Sequence, residues 1–344
     1  MVVLGFRFNF QANCLCGGKR SPTLSSPFSI ASASAVYHVM PATPQYTWPL
    51  LSKRLNCEVW VKHENHTPTG AFKIRGGIIF INCLLKREPN INGIITATRG
   101  NHGQSLALAA TKAGLPCYLV VPKGNSREKN AAMQALGGQI IEYGVDFDEA
   151  RAKAAEIAQQ RGLYFVPAFH KDLILGVATY ALELFNAVAE LDTVYVPVGM
   201  GSGICGLIQT RDLLGLKTKI VGIVSDQADA FAQSFEQGKI ITTLSADTMA
   251  DGLACRMPLA ESFAMIQRGA ERIIRVTDDE VCHAIRIYHE DTHNMAEGAG
   301  AAGLAGLIKE RRLQKNKKVA VILSGANIDR PLYASILQQQ IPTP

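Results

Sequence analysis

From about Ile91 onward the chain keeps one rhythm, in which short apolar runs alternate with helix-length segments. The runs "GIITA" (93–97), "CYLVV" (117–121), "QIIEY" (139–143) and "LYFVPA" (163–168) read as buried strands. The pattern resumes with "TVYVPV" (193–198), "KIVGIV" (219–224), "RIIRV" (272–276) and "KKVAVILS" (317–324). Between them, Asp146–Arg161 carries Ala150, Ala154, Ile157 and Ala158 at helical spacing. Asp146 with Glu149 predicts a capping box there, and Gly162 predicts the stop. "HGQSLALAATKAG" predicts a helix ending at Gly114; others are expected after Gly203 and over Asp278–Asp291. Strands that alternate with helices imply parallel sheets covered on both faces. Eight or more strands over about 250 residues imply two such units in an α/β chain.

Composition excludes several partners. The net charge of +6 is scattered, and its densest cluster, "KERRLQKNKK" (309–318), reads as a solvated helix face and loop, so no nucleic-acid partner is expected. Apolar runs fall short of the ~18 residues a membrane-spanning helix needs. Eight cysteines without a CxxC pair fit a reducing cytoplasm. Met1 to Cys57 contains no acidic residue, a composition shared with transit peptides. Without an apolar signal core or a clear cleavage site, residues 1–26 read better as a disordered extension or an upstream start.

Four constellations carry candidate chemistry. In "HENHTPTGAFKIRGG" (63–77) the spacing of His63 and His66 is H-E-x-H, one residue short of the H-E-x-x-H that a zinc-binding helix carries, and Pro68 and Gly70 follow at once. Those histidines are expected to make loop hydrogen bonds, and no metal is expected. Lys73 lies between Phe72 and Ile74 with Arg75 near, surroundings that would favour a neutral, nucleophilic amine. Pro68, Gly70, Gly76 and Gly77 are expected to let the backbone turn closely around a ligand. "TATRGNHGQS" (96–105) joins a strand to a helix, where parallel sheets bind ligands, although Asn101 alone could be a simple N-cap.

"PVGMGSGICG" (197–206) places Gly199, Gly201 and Gly203 where helix-terminal N–H groups can hold a phosphate. The same stretch satisfies G-x-G-x-x-G, with Asp226 twenty residues past Gly206, so a nicotinamide dehydrogenase is an open alternative. Last, "LSGAN" (323–327) ends an apolar strand with Ser324 at its edge.

In this order, "GAFKIRGG", "RGNHGQS", the glycine loop and "SGAN" resemble the threonine dehydratase and serine racemase family of fold-type II pyridoxal-phosphate enzymes. The resemblance runs from about Ser29 to Asp329. It implies two three-layer α/β domains, similar to the tryptophan synthase beta chain, with mostly parallel sheets. The small mobile domain would be 93–172 and the large one 27–92 plus 173–344. It implies that Lys73 forms a Schiff base with pyridoxal 5′-phosphate and later takes the substrate α-proton. Phe72 would lie beside the ring, Asn101 at its 3-hydroxyl and Ser324 at its nitrogen. Gly199, Met200, Gly201, Ser202 and Gly203 would hold the phosphate. Thr98, Arg99, Gly100, Asn101 and His102 would bind the substrate carboxylate.

The implied reaction is loss of water and ammonia from threonine, serine or a related β-hydroxy amino acid, by a homodimer or higher homo-oligomer. Three departures matter. Arg99 stands where serine racemases carry the serine of their second face, which argues against racemisation. Arg99 also raises hydroxyaspartate or phenylserine as alternative substrates. Many relatives bind a divalent cation through a glutamate after the strand matching "VGIV"; that position here is Val224, so the site is expected to be lost, although Asp226 and Asp229 are near. "GAFK" has Ala71 where relatives often have serine. No domain follows Pro344, so control by isoleucine is not expected. A non-catalytic protein keeping this fold is the third reading, against which Lys73 and Ser324 argue.

Overall fold

A computed structural model describes residues 30–339, with side chains from 33 onward. The expectations for residues 1–26 therefore lie outside the described residues. Among the described residues, ten strands form two sheets. In chain order they are β1 (Gln45–Thr47), β2 (Glu58–His63), β3 (Ile94–Ala97), β4 (Cys117–Val121), β5 (Gly138–Glu142), β6 (Tyr164–Phe165), β7 (Thr193–Pro197), β8 (Lys219–Ser225), β9 (Arg272–Val276) and β10 (Lys318–Leu323).

The larger sheet has the order β1-β2-β10-β7-β8-β9 and the smaller β5-β4-β3-β6. All pairs are parallel except β1 with β2. Eight strands lie where the apolar runs predicted them. The sequence reading did not foresee β1 and β2, which lie before the rhythm begins, and it over-extended "LYFVPA", of which only Tyr164 and Phe165 pair.

The apolar runs serve both faces of each sheet, because successive side chains leave a strand on opposite sides. In β10, Val319, Val321 and Leu323 enter one core while Ala320 and Ile322 enter another. In β4, Cys117, Leu119 and Val121 face one layer and Val120 the other. Helices must therefore cover both sides, as the alternation implied. The helix Gly298–Lys309 has mostly Gly and Ala in its first turns, so it lies close against β7 and β10.

The helix Phe147–Arg161 is half as capped as predicted. Asp146 Oδ1 accepts from Glu149 N at 2.9 Å, but the Glu149 carboxylate reaches Val145 N rather than that of Asp146. Gly162 ends the helix in the left-handed region, as expected.

The strand order places the site. β10 is flanked by β2 and β7, so the connections leaving β2 and β7 diverge at the carboxyl edge beside it, where parallel sheets open a crevice.

Candidate active site

Lys73 opens the helix Lys73–Arg87 just past β2. The loop before it is pinned to the segment after β10. Ala71 bridges Gly325, Phe72 N donates to Ser324 O at 3.0 Å, and Ala326 N donates to Gly70 O at 2.9 Å. Gly70 makes the turn at φ 66°, and a side chain there would strike Asn327. "GAFK" and "SGAN", distant in sequence, are thus one unit.

The Lys73 amine lies 3.1 Å from Ser202 Oγ and 5.0 Å from the centre of the Phe72 ring. Burial lowers its pKa from 10.5 to about 8, with the Glu297 carboxylate opposing the shift. About a tenth of such an amine is neutral at pH 7. Of the neighbours expected to do this, Phe72 lies at the amine but Ile74 and Arg75 do not. Ile74 packs with Val36 and Met40, and Arg75 turns its guanidinium to Glu64, Glu183 and Thr179. Gly76 and Gly77 also differ from expectation. They lie inside the helix, where added Cβ atoms would meet Leu173 O at 2.9 Å and Ser105 Oγ at 2.3 Å, so they serve helix packing.

The glycine loop leaves β7 and opens the helix Ser202–Leu213. A Cβ on Gly199 would lie 2.1 Å from Gly252 O, and Gly201 has φ 95°. Glycine is required at both. The first-turn N–H groups have no partner within the helix, and Ser202 brings that turn up to Lys73. Such a terminus can hold an anion. Gly203 O accepts from Tyr180 Oη at 2.8 Å, while Met200 packs against the apolar cluster below the loop.

The third loop follows β3. Thr98 Oγ1 accepts from Gly100 N and Gly103 N, both at 3.0 Å, so this hydroxyl shapes the turn. Gly100 has no room for a Cβ, which would lie 2.6 Å from Lys129 Cδ. Asn101 is not an N-cap. It is the first helical residue, donating from Nδ2 to Glu297 Oε1 at 2.6 Å and accepting from Asn327 Nδ2 at 2.7 Å. His102 Nε2 is buried with no protein partner. Burial and the nearby Lys73 hold that imidazole neutral, with its pKa at about 3. Arg99 Nη1 donates to Asp251 Oδ1 at 3.2 Å.

Glu297 escaped the sequence reading. It is buried, its N–H donates to Gly325 O, and desolvation raises its carboxyl to about 6 against the pull of Lys129 and Asn101. Its one legible signal was a lone acid before the Gly/Ala run "GAGAAG". Lys129 and Asp251, paired at 2.9 Å, were missed as well. The opening histidines behave as expected: Trp48 Nε1 donates to His63 Nε2 at 3.1 Å, and His66 Nε2 meets Asn294 Oδ1 at 2.9 Å.

The assembled site offers a weakly basic amine, a helix terminus suited to an anion, and an imidazole nitrogen without a partner. These groups fit a cofactor with both a carbonyl carbon and a phosphate.

Known proteins resemble this chain over most of its length. The family described as "Pyridoxal-phosphate dependent enzyme" matches residues 38–325. The biosynthetic L-threonine dehydratase IlvA of Haemophilus influenzae is 34% identical over 300 residues, covering 86% of this chain and 58% of that protein. The chain thus spans under two thirds of that relative. An L-threonine ammonia-lyase of Geobacter sulfurreducens is 33% identical over 289 residues, covering 84% of this chain and 72% of its own. The processed threonine deaminase isoform 2 of Solanum lycopersicum superposes with a TM-score of 0.84 at 30% identity, covering 90% of this chain and 91% of that one. These matches retire the nicotinamide reading of the glycine loop. The chain belongs to the pyridoxal-phosphate dependent enzymes.

Proposed function

We propose that this enzyme is a dehydratase (ammonia-lyase) that converts L-threonine or L-serine to a 2-keto acid and ammonia. The observation that carries the reading is the lowered Lys73 amine beside Ser202 of the glycine loop, in a chain similar to threonine dehydratases. Pyridoxal phosphate, when bound, supplies the electron sink that stabilises negative charge at the α-carbon.

The residues would do the rest. Lys73 holds the cofactor and afterwards moves the α-proton, for which an amine titrating near neutrality is suited. Gly199, Met200, Gly201, Ser202 and Gly203 hold the phosphate at the helix terminus. Phe72, Asn101 and Ser324 orient the ring. Thr98 engages the N–H groups of Gly100 and Gly103, leaving those of Asn101 and His102 for the substrate carboxylate.

Arg99 is engaged by Asp251, so its charge gives no reason to prefer an acidic β-substituent. We therefore place hydroxyaspartate and phenylserine below threonine and serine. As an arginine it also supplies no second-face base for racemisation. The four-stranded sheet lies within 93–172, which supports that segment as a smaller, mobile domain on a larger one of 27–92 plus 173–344. We place the enzyme in the cytoplasm as a homo-oligomer. Its described cysteines are free, and no described helix is long and apolar enough to cross a membrane.

The test is release of 2-keto acid and ammonia from L-threonine, L-serine, hydroxyaspartate and phenylserine. Equimolar release, fastest with threonine or serine and lost in Lys73→Ala, supports the reading. Turnover confined to hydroxyaspartate or phenylserine contradicts the substrate, and no ammonia from any of them contradicts the reaction.

A further inference from the structure

The end of β8 is where the family resemblance implies a divalent cation, and the residues there do not fit one. Val224 is fully buried in the apolar core, where it can donate nothing to a metal. Asp229, the next carboxylate able to contribute, has both oxygens engaged. Its Oδ1 accepts from Gln233 Nε2 at 2.7 Å and its Oδ2 from Arg275 Nε at 2.8 Å. Asp226 presents one buried oxygen without a protein partner, far short of the six or more oxygens calcium takes, or the near-octahedral set of magnesium. Among the described residues, no group of three acidic, histidine or cysteine side chains is arranged for a metal.

The sheet register shows what stands there instead. Val224 and Arg275 are direct partners across β8 and β9. Arg275 lies on the same face as Ile273, two residues earlier, which packs in the core that holds Val224. From that position its guanidinium spans Asp229 and both oxygens of Glu236, at 2.5 and 2.9 Å. Glu236 lies on the helix Ala230–Gln237, and Asp229 immediately precedes that helix. One planar cation thus ties the helix at both ends to the sheet edge, through the bidentate geometry that arginine favours.

We propose that Arg275 is a built-in cation, and that the enzyme folds and works without a divalent metal at this position. The proposal holds whichever β-hydroxy amino acid is the substrate. Here a covalently attached charge on the adjacent strand balances Asp229 and Glu236.

The test uses the purified enzyme with its cofactor, dialysed against EDTA and then titrated separately with MgCl2, CaCl2 and MnCl2. Metal content is read by elemental analysis, stability by thermal unfolding, and ammonia release alongside. The proposal expects substoichiometric metal and an unchanged unfolding temperature with and without EDTA or each salt. A stoichiometric metal, or a fall in unfolding temperature with EDTA that one salt restores, would overturn it. In Arg275→Gln the two carboxylates lose their cation, and the unfolding temperature should fall and then rise with added calcium or magnesium. If that variant is as stable as the parent and indifferent to both salts, Arg275 is not acting as the cation. If it does not fold, the measurements on the parent enzyme alone decide.

Discussion

Asn101 and Glu297 face each other across the two sheets, with the Asn101 amide donating to the Glu297 carboxylate at 2.6 Å. The contact joins the loop after β3 to the N-terminus of the helix Gly298–Lys309. It also couples a titrating group to a proposed cofactor-binding side chain, because Asn101 is further held by Asn327.

Glu297→Gln tests that coupling. Burial raises the Glu297 carboxyl from 4.5 to about 6, so the folded state favours its protonated form. That contribution is fully present below pH 4.5 and is lost as pH rises through 6. The variant should therefore be about 1–2 kcal/mol more stable than the parent at pH 8, with the difference vanishing near pH 4. In kcat/KM the parent should show an acid limb near pH 6 that the variant lacks. Denaturant unfolding at both pH values and a pH–rate profile check the two signs.

Gly199→Ala addresses the glycine loop. An added Cβ would meet Gly252 O at 2.1 Å, and neither backbone can yield without displacing the helix terminus. The variant should lose at least tenfold in cofactor affinity and about 1–3 kcal/mol of stability. Fluorescence titration with pyridoxal phosphate, alongside thermal unfolding, separates the two losses.

Asp251→Asn addresses the contacts between the sheets. Asp251 receives Arg99 at 3.2 Å and Lys129 at 2.9 Å, both from the side of the four-stranded sheet. The exposed Arg99 pair contributes about 0–1 kcal/mol, but the Lys129 amine is shielded and would lose its carboxylate partner. KM for the proposed substrate should rise several-fold more than kcat falls, and limited proteolysis within 93–172 should quicken. An unchanged cleavage rate would mean that these pairs do not restrain that segment.

Arg75→Met breaks the network behind the site. Arg75 is fully buried between Glu64 and Glu183, with Lys62 completing a balanced set of two cations and two carboxylates. Removing one cation leaves a carboxylate buried without its partner, at a cost of about 3–5 kcal/mol. Lys73 lies two residues away on the same helix, so activity should fall with stability and recover partly at low temperature. Unfolding curves and assays over a temperature series check this.

What could be read in advance follows physical range. Strands β3 to β10 announced themselves because buried parallel strands need continuous apolar runs, a property of adjacent residues. β1, at the sheet edge and mostly exposed, carries no such run. The stretches holding Lys73, the glycine loop and Ser324 stood out in the sequence, but residues alone left their roles open, and only the order of the motifs pointed to one site. Asn101 was half legible: its place at a strand-to-helix turn was clear, but its partner Glu297 was not. Glu297, Lys129 and Asp251 gain their character from burial beside one another, which only the folded chain creates. Arg75 misled for the same reason, since nearness to Lys73 in sequence is not nearness of its charge.

The central claim is that Lys73 holds the cofactor. Borohydride reduction of the cofactor-loaded enzyme, followed by digestion and mass spectrometry of the peptides, tests it directly. A pyridoxyl label on the peptide containing Lys73, absent in Lys73→Ala, is the predicted result. A label on another lysine, or none on a protein that absorbs visible light with its cofactor bound, would contradict the account.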